Sequence, residues 1–249
     1  MSASSIQTWV AILGALLTAV VGLVRYFSYQ SRRDRMTSVG AAFNATVESL
    51  ASNSEIERMA AAVLLRRFFE RGTEQGGRRR PYKHETVEVI AAILRKLQDE
   101  RSRKADKEES EDERVFQKAL ADGLRYAGSL RSADLQRCDL HNAYLGRRKG
   151  DRRALRLSYA DLYLADCTEA SFREVVAKGA VFYNATLERT VFIDAKLNGA
   201  DFRRARLTDA KFSGACIEGA QFADAEGIPA EVSALLDGNQ TGMRRAKVG

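Results

Sequence analysis

Across 249 residues the chain has only 3 Cys, 2 His, 2 Pro and 1 Trp. So few Cys and His cannot build a zinc cluster of ordinary spacing, and an odd Cys count argues against a fully paired extracellular framework. HExxH, GxSxG and a phosphate-cradling Gly loop are all missing, and the two His, His84 and His141, lie far apart. No catalytic constellation emerges, so the chain reads as non-enzymatic and no cofactor is implied. With 18 Gly, 45% hydrophobic and 29% charged residues, it is neither collagenous nor a disordered tail. Basic side chains outnumber acidic ones, 40 to 33, for a net charge of +7, which invites an anionic partner without identifying one.

Charge is absent from residues 9–24, and Arg25, Arg32, Arg33 and Arg35 follow. At about 1.5 Å per residue this run covers roughly 24 Å, short of a ~30 Å hydrocarbon slab unless flanking aromatics extend it and Arg25 snorkels. The pattern predicts an uncleaved, single-pass transmembrane anchor over 1–29, with the Arg cluster and everything downstream cytoplasmic. Wound as a helix, Ala11, Gly14, Ala15, Thr18, Ala19 and Gly22 share one side, a small-residue face that predicts self-association in lipid. The expected partners are therefore the lipid bilayer, a second copy of the chain and a protein not identified by the sequence.

Residues 30–98 read as a juxtamembrane stalk and a small helical module. Ser52, Asn53 and Ser54 before Glu55 and Glu57 signal a helix N-terminus, followed by Ile56, Met59, Val63 and Leu64 on one face. A second helix is predicted from His84 onward, with Val87, Ile90, Leu94 and Leu97 aligned, so that the two form a hairpin. Between them Arg78, Arg79, Arg80 and Lys83 make a first basic interaction loop. Residues 99–129 begin with a charged stretch, a hinge or an exposed helix extension, and end in an amphipathic helix containing Val115, Phe116 and Leu120, placed to cap the segment C-terminal to it.

From Leu157 to Phe222 a large residue falls on almost every fifth position, a period that neither a helix at 3.6 nor a strand at 2 can hold on one face. The predicted inward residues include Leu162, Phe172, Phe182, Leu187, Phe192, Leu197, Phe202, Leu207, Phe212, Ile217 and Phe222, with a small residue, usually Ala, two positions before each. Ala160-Asp161-Leu162 and Ala200-Asp201-Phe202 show the underlying A-[DN]-[LF] pattern.

In these residues the chain resembles the pentapeptide-repeat family, over roughly Leu130 to Phe222. The resemblance implies a right-handed quadrilateral β-helix over 130–227, with four pentapeptides to a coil. The fold class expected is thus α+β: a transmembrane helix, a helical module and a β-helix solenoid, closed by a C-terminal cap and tail over 228–249. Phe recurs every ten residues, which in a four-faced coil stacks the rings on two opposite faces. Between Leu145 and Leu157 the spacing is broken by an insertion of two residues or seven, carrying Arg147, Arg148, Lys149, Arg152 and Arg153 as a second basic interaction loop.

Solenoid walls suit protein recognition, so a membrane-anchored interaction scaffold or oligomerising effector is the leading expectation. By analogy with the family, signalling or phage defence is its setting, at a bacterial inner membrane. A DNA-mimicking, topoisomerase-binding protein is the alternative the family offers. Sixteen basic and fourteen acidic residues over 130–226 give the wrong sign for it. Nucleic-acid binding through the basic loops is disfavoured because no aromatics interleave with them.

Overall fold

The computed structural model describes residues 25, 30, 33–34, 36–70, 80–103, 110–151 and 153–238. The chain divides into two compact units, Met1–Ala45 and Thr46–Gly249. Residues 36–50 are helical (α1). The second unit contains α2 (Glu55–Leu65), α3 (Lys83–Arg103), α4 (Glu111–Gly123), a β-helical column and α5 (Ala230–Gly238).

The expected transmembrane helix requires correction. No helix among the described residues is long and apolar enough to cross a membrane. At 21 residues α3 has the length, about 31 Å, but charged side chains run along it from Lys83 to Arg103. The segment 9–24, with Ala11, Gly14, Ala15, Thr18, Ala19 and Gly22, lies outside the described residues. The fold is a β-helix solenoid preceded by amphipathic helices.

Ser54 caps α2 by accepting the Glu57 N–H, and Ser110 caps α4 by accepting that of Glu113. The helices do not pair as a simple hairpin, because α2 and α3 each pack on α4. The apolar stripe of α3, with Val87, Ile90, Ala91 and Leu94, is buried, and its backbone meets the column where the Leu94 carbonyl accepts the Asp139 N–H. The charged residues 99–103 continue α3 rather than forming a hinge.

The column repeats every 20 residues through parallel bridges such as Arg156 to Val176 and Val176 to Lys196. Ser129 bridges Arg156, a step of 27, so the insertion in the first coil is seven residues. Each coil is held to the next by backbone bonds of the kind Leu157 N–H to Val176 C=O, 2.7 Å. Corners turn through a residue with positive φ, Tyr159 (φ 59°) and Leu164 (φ 56°) among them, closed by bonds such as Ala160 N–H to Leu157 C=O. The Asp of the A-D-[LF] pattern serves these corners: the carboxylates of Asp161, Asp166 and Asp201 accept the N–H two residues on.

Inside, Leu162, Phe172, Phe182, Leu187, Phe192, Leu197, Phe202, Leu207, Phe212 and Phe222 are buried, while Ile217 near the open end is half-exposed. Phe172, Phe192 and Phe212 stack on one face at 5.2 and 4.9 Å, and Phe182, Phe202 and Phe222 on the opposite face at 5.0 Å per step. These steps match the ~4.8 Å between adjacent strands. Thr190, in a small-residue slot, satisfies its hydroxyl on the Cys167 carbonyl at 2.7 Å.

Candidate interaction surface

A coil has no partner beyond its last neighbour, so each end of the column presents backbone groups that must be satisfied. At the N-terminal end α3 and α4 supply side chains one after another around the first coil. Lys83 Nζ donates to the Ser129 carbonyl at 2.8 Å, and Arg95 to those of Asp134 and Gln136 at 2.8 and 3.0 Å. Gln117 Nε2, buried, donates to the Asp139 and His141 carbonyls at 2.8 and 3.2 Å, and Lys118 donates to Asn142. Tyr144 N–H finds the Asp122 carboxylate. The fully buried Asp139 carboxylate meets Arg101 at 2.8 Å. At the other end Phe212 N–H has no further coil to reach and donates to Glu231 of α5, while Val232 is buried.

The first basic loop is built into this closure. Arg80 donates to the Phe69 carbonyl at 3.2 Å, and burial beside Arg80 lowers the Lys83 pKa. Arg78 and Arg79 lie outside the described residues. The second loop folds back on Asp151, whose carboxylate accepts the Arg148 N–H and the Arg125 guanidinium, both at 2.8 Å. The Arg148 N–H bond holds that carboxyl below its ordinary range; desolvation opposes it, and the Arg125 guanidinium adds to the lowering. Arg147 pairs with Glu174 at 3.1 Å, and Arg148 lies 4.9 Å over Tyr144. Lys149 and Arg153 are exposed; Arg152 lies outside the described residues. Most of the described cations in the two loops therefore fasten the fold.

The walls carry the charge that remains available. One wall and the corner after it contain Arg131, Arg156, Lys178 and Lys196, all exposed, one on each of four successive coils. No Asp or Glu occurs on this strip before Glu218. None of the four forms an ion pair among the described residues; Arg131 instead lies 5.4 Å over the Tyr159 ring. Acids on the adjoining corner are engaged, Glu174 by Arg147 and Asp194 by Arg173. The opposite wall is acidic, but Glu169 pairs with Arg189, Glu188 with Arg206 and Asp139 with Arg101. Sequence reasoning, counting charges over the whole solenoid, missed this segregation; reading outward positions coil by coil reveals it.

Among the described residues no group of His, Cys, Asp and Glu is placed to hold a metal ion. Burial pushes the Cys138 thiol up to about 12 and that of Cys167 well above its ordinary value, and Cys138 Sγ donates to the Ala91 carbonyl of α3 at 3.5 Å.

Residues 160–192 and 187–222 match the family model described as pentapeptide repeats, in eight copies. Among solved structures the chain is similar to Rfr23, a pentapeptide repeat protein from the cyanobacterium Cyanothece, at 22% identity over 39% of this chain and 63% of that one, TM-score 0.36. It thus spans less than two thirds of that relative. It is also similar to a pentapeptide repeat protein of the Arabidopsis thaliana thylakoid lumen, at 21% identity over 44% and 74% of the two chains, TM-score 0.34. A third is QnrB1, a plasmid-mediated fluoroquinolone resistance protein, at 19% identity over 39% and 59%, TM-score 0.21. No curated protein matches the chain. Residues 160–222 are pentapeptide repeats wound into a β-helix.

Proposed function

We propose that the protein is a non-enzymatic interaction scaffold, presenting the walls of its capped β-helix to a protein partner. The observation that carries this reading is the uncompensated strip of Arg131, Arg156, Lys178 and Lys196 on a wall backed by the buried Leu157, Ala177 and Leu197. A stiff wall binds with little ordering cost, which is what a recognition surface needs. The acidic wall does not favour mimicry of DNA, since Arg189, Arg206 and Arg101 neutralise much of it from within the chain.

Photo-crosslinkers placed singly on each of the four walls of the full chain, in cells, test the proposal. A scaffold gives crosslinks to one defined protein from one wall and not from its opposite. Absence of any protein crosslink from all four walls overturns the reading.

A further inference from the structure

Resting on the scaffold reading, the geometry points to an occupant for the basic strip: we propose that it docks an acidic α-helix of a protein partner, one carboxylate per turn meeting one cation per coil. The four cations alternate between two rows, Arg156 and Lys196 on the bridged positions, Arg131 and Lys178 on the corner that follows. Successive coils lie ~4.8 Å apart, so the cations climb the column at that interval. A helix presents one residue per turn along a face every ~5.4 Å. Over three intervals the two repeats drift apart by about 2 Å, well within the reach of Lys and Arg side chains. An extended acidic strand, repeating its same-side residues every ~6.7 Å, drifts by nearly 6 Å and falls out of register.

The strip is poorly built for single-stranded nucleic acid, which is gripped by stacking bases on open aromatic faces. Its exposed aromatic, Tyr159, is occupied: Arg131 covers the ring at 5.4 Å, and the ring lies so close to Gly179 (φ 62°) that a Cβ there would sit 2.7 Å from it. Acids on the adjoining corner already have cations of their own, Glu174 meeting Arg147 and Asp194 meeting Arg173. Exposed ion pairs are individually weak and screened by salt, so such docking is fast, reversible and sensitive to ionic strength.

The test uses the full chain and a fluorescein-labelled Ala/Gln helical peptide of about 20 residues with Glu once per turn on one face, read by fluorescence anisotropy. Binding is expected at roughly 50 mM salt and to weaken steeply towards roughly 500 mM. Lys178→Glu/Lys196→Glu should weaken it by about tenfold or more, and the milder Lys178→Gln/Lys196→Gln by less. Arg203→Gln, at a cation already paired with Asp201, should change it by under about twofold. Equal binding by parent and double variants overturns the proposal, as does tighter binding of a single-stranded DNA of about the same length, which would make the strip a phosphate surface. Failure here with crosslinks from another wall leaves the scaffold standing and removes only this face. Failure with no crosslinks from any wall removes both.

Discussion

Asp139 shows how one side chain of a repeat is turned to another purpose. The Asp before each central Leu or Phe ordinarily accepts the N–H two residues on, and Asp139 does so with His141 at 3.1 Å. Unlike the later ones it is fully buried, beneath α3 and α4, where Arg101 meets it at 2.8 Å. Removing the guanidinium strands a buried carboxylate, so Arg101→Ala should cost about 3 kcal/mol in urea unfolding, with Arg101→Lys recovering part. At Asp201 burial raises the pKa, but the Arg203 side chain and N–H outweigh it and hold the carboxyl below its ordinary value. A depressed carboxyl contributes stability above its unfolded pKa and loses it as pH falls through the folded one. Asp201→Asn, which keeps an acceptor for the corner, should therefore lower Tm at neutral pH, and the gap to the parent should close below about pH 4. Among the three cysteines, Cys138 and Cys167 are buried with raised pKa values and Cys216 is exposed. A thiol reagent should accordingly label Cys216 alone in the native protein and all three after denaturation, read by mass spectrometry.

At the scale of elements, the column is a set of ladders whose rungs must match in size. Ala200 is fully buried between large neighbours, and a Leu in its place overpacks the tube. Ala200→Leu should cost about 1–3 kcal/mol, and Phe192→Ala, which opens a gap between Phe172 and Phe212, about 3–5 kcal/mol, both by denaturant unfolding. These rungs were readable in the sequence because a five-residue period has no competing explanation. The length of the insertion was not, because adding two residues or seven preserves the pattern equally well, and only the Ser129 to Arg156 bridge decides. The pairing of α2 with α4 was hidden too, since an apolar stripe says that a helix is buried without naming its partner. The side chains closing the first coil were least visible: Arg95, Gln117 and Arg101 are polar residues in polar surroundings, and their role exists only once the coil edge lies beside them. For the same reason the basic strip stayed concealed, since Arg131, Arg156, Lys178 and Lys196 become neighbours only when the chain is wound at 20 residues per coil.

For the whole molecule the decisive problem is the two ends of an edge that cannot close on itself. Coils between the ends satisfy one another, whereas the first must rely on α3 and α4 and the last on α5. The N-terminal closure is the more extensive, with Lys83, Arg95, Gln117 and Lys118 donating to carbonyls from Ser129 to Asn142. Such an edge, once uncovered, offers aligned acceptors and donors to any other strand. Gln117→Leu, nearly isosteric and unable to donate, leaves the Asp139 and His141 carbonyls without that bond and should cost about 1–3 kcal/mol. The remaining repeats lose nothing directly, so the defect should be confined to one end: hydrogen exchange should accelerate in residues 129–145 and stay slow at 176–206. Acceleration spread evenly over every coil would mean instead that the column melts as a single cooperative body, with the helices acting through total stability rather than by closing its first edge.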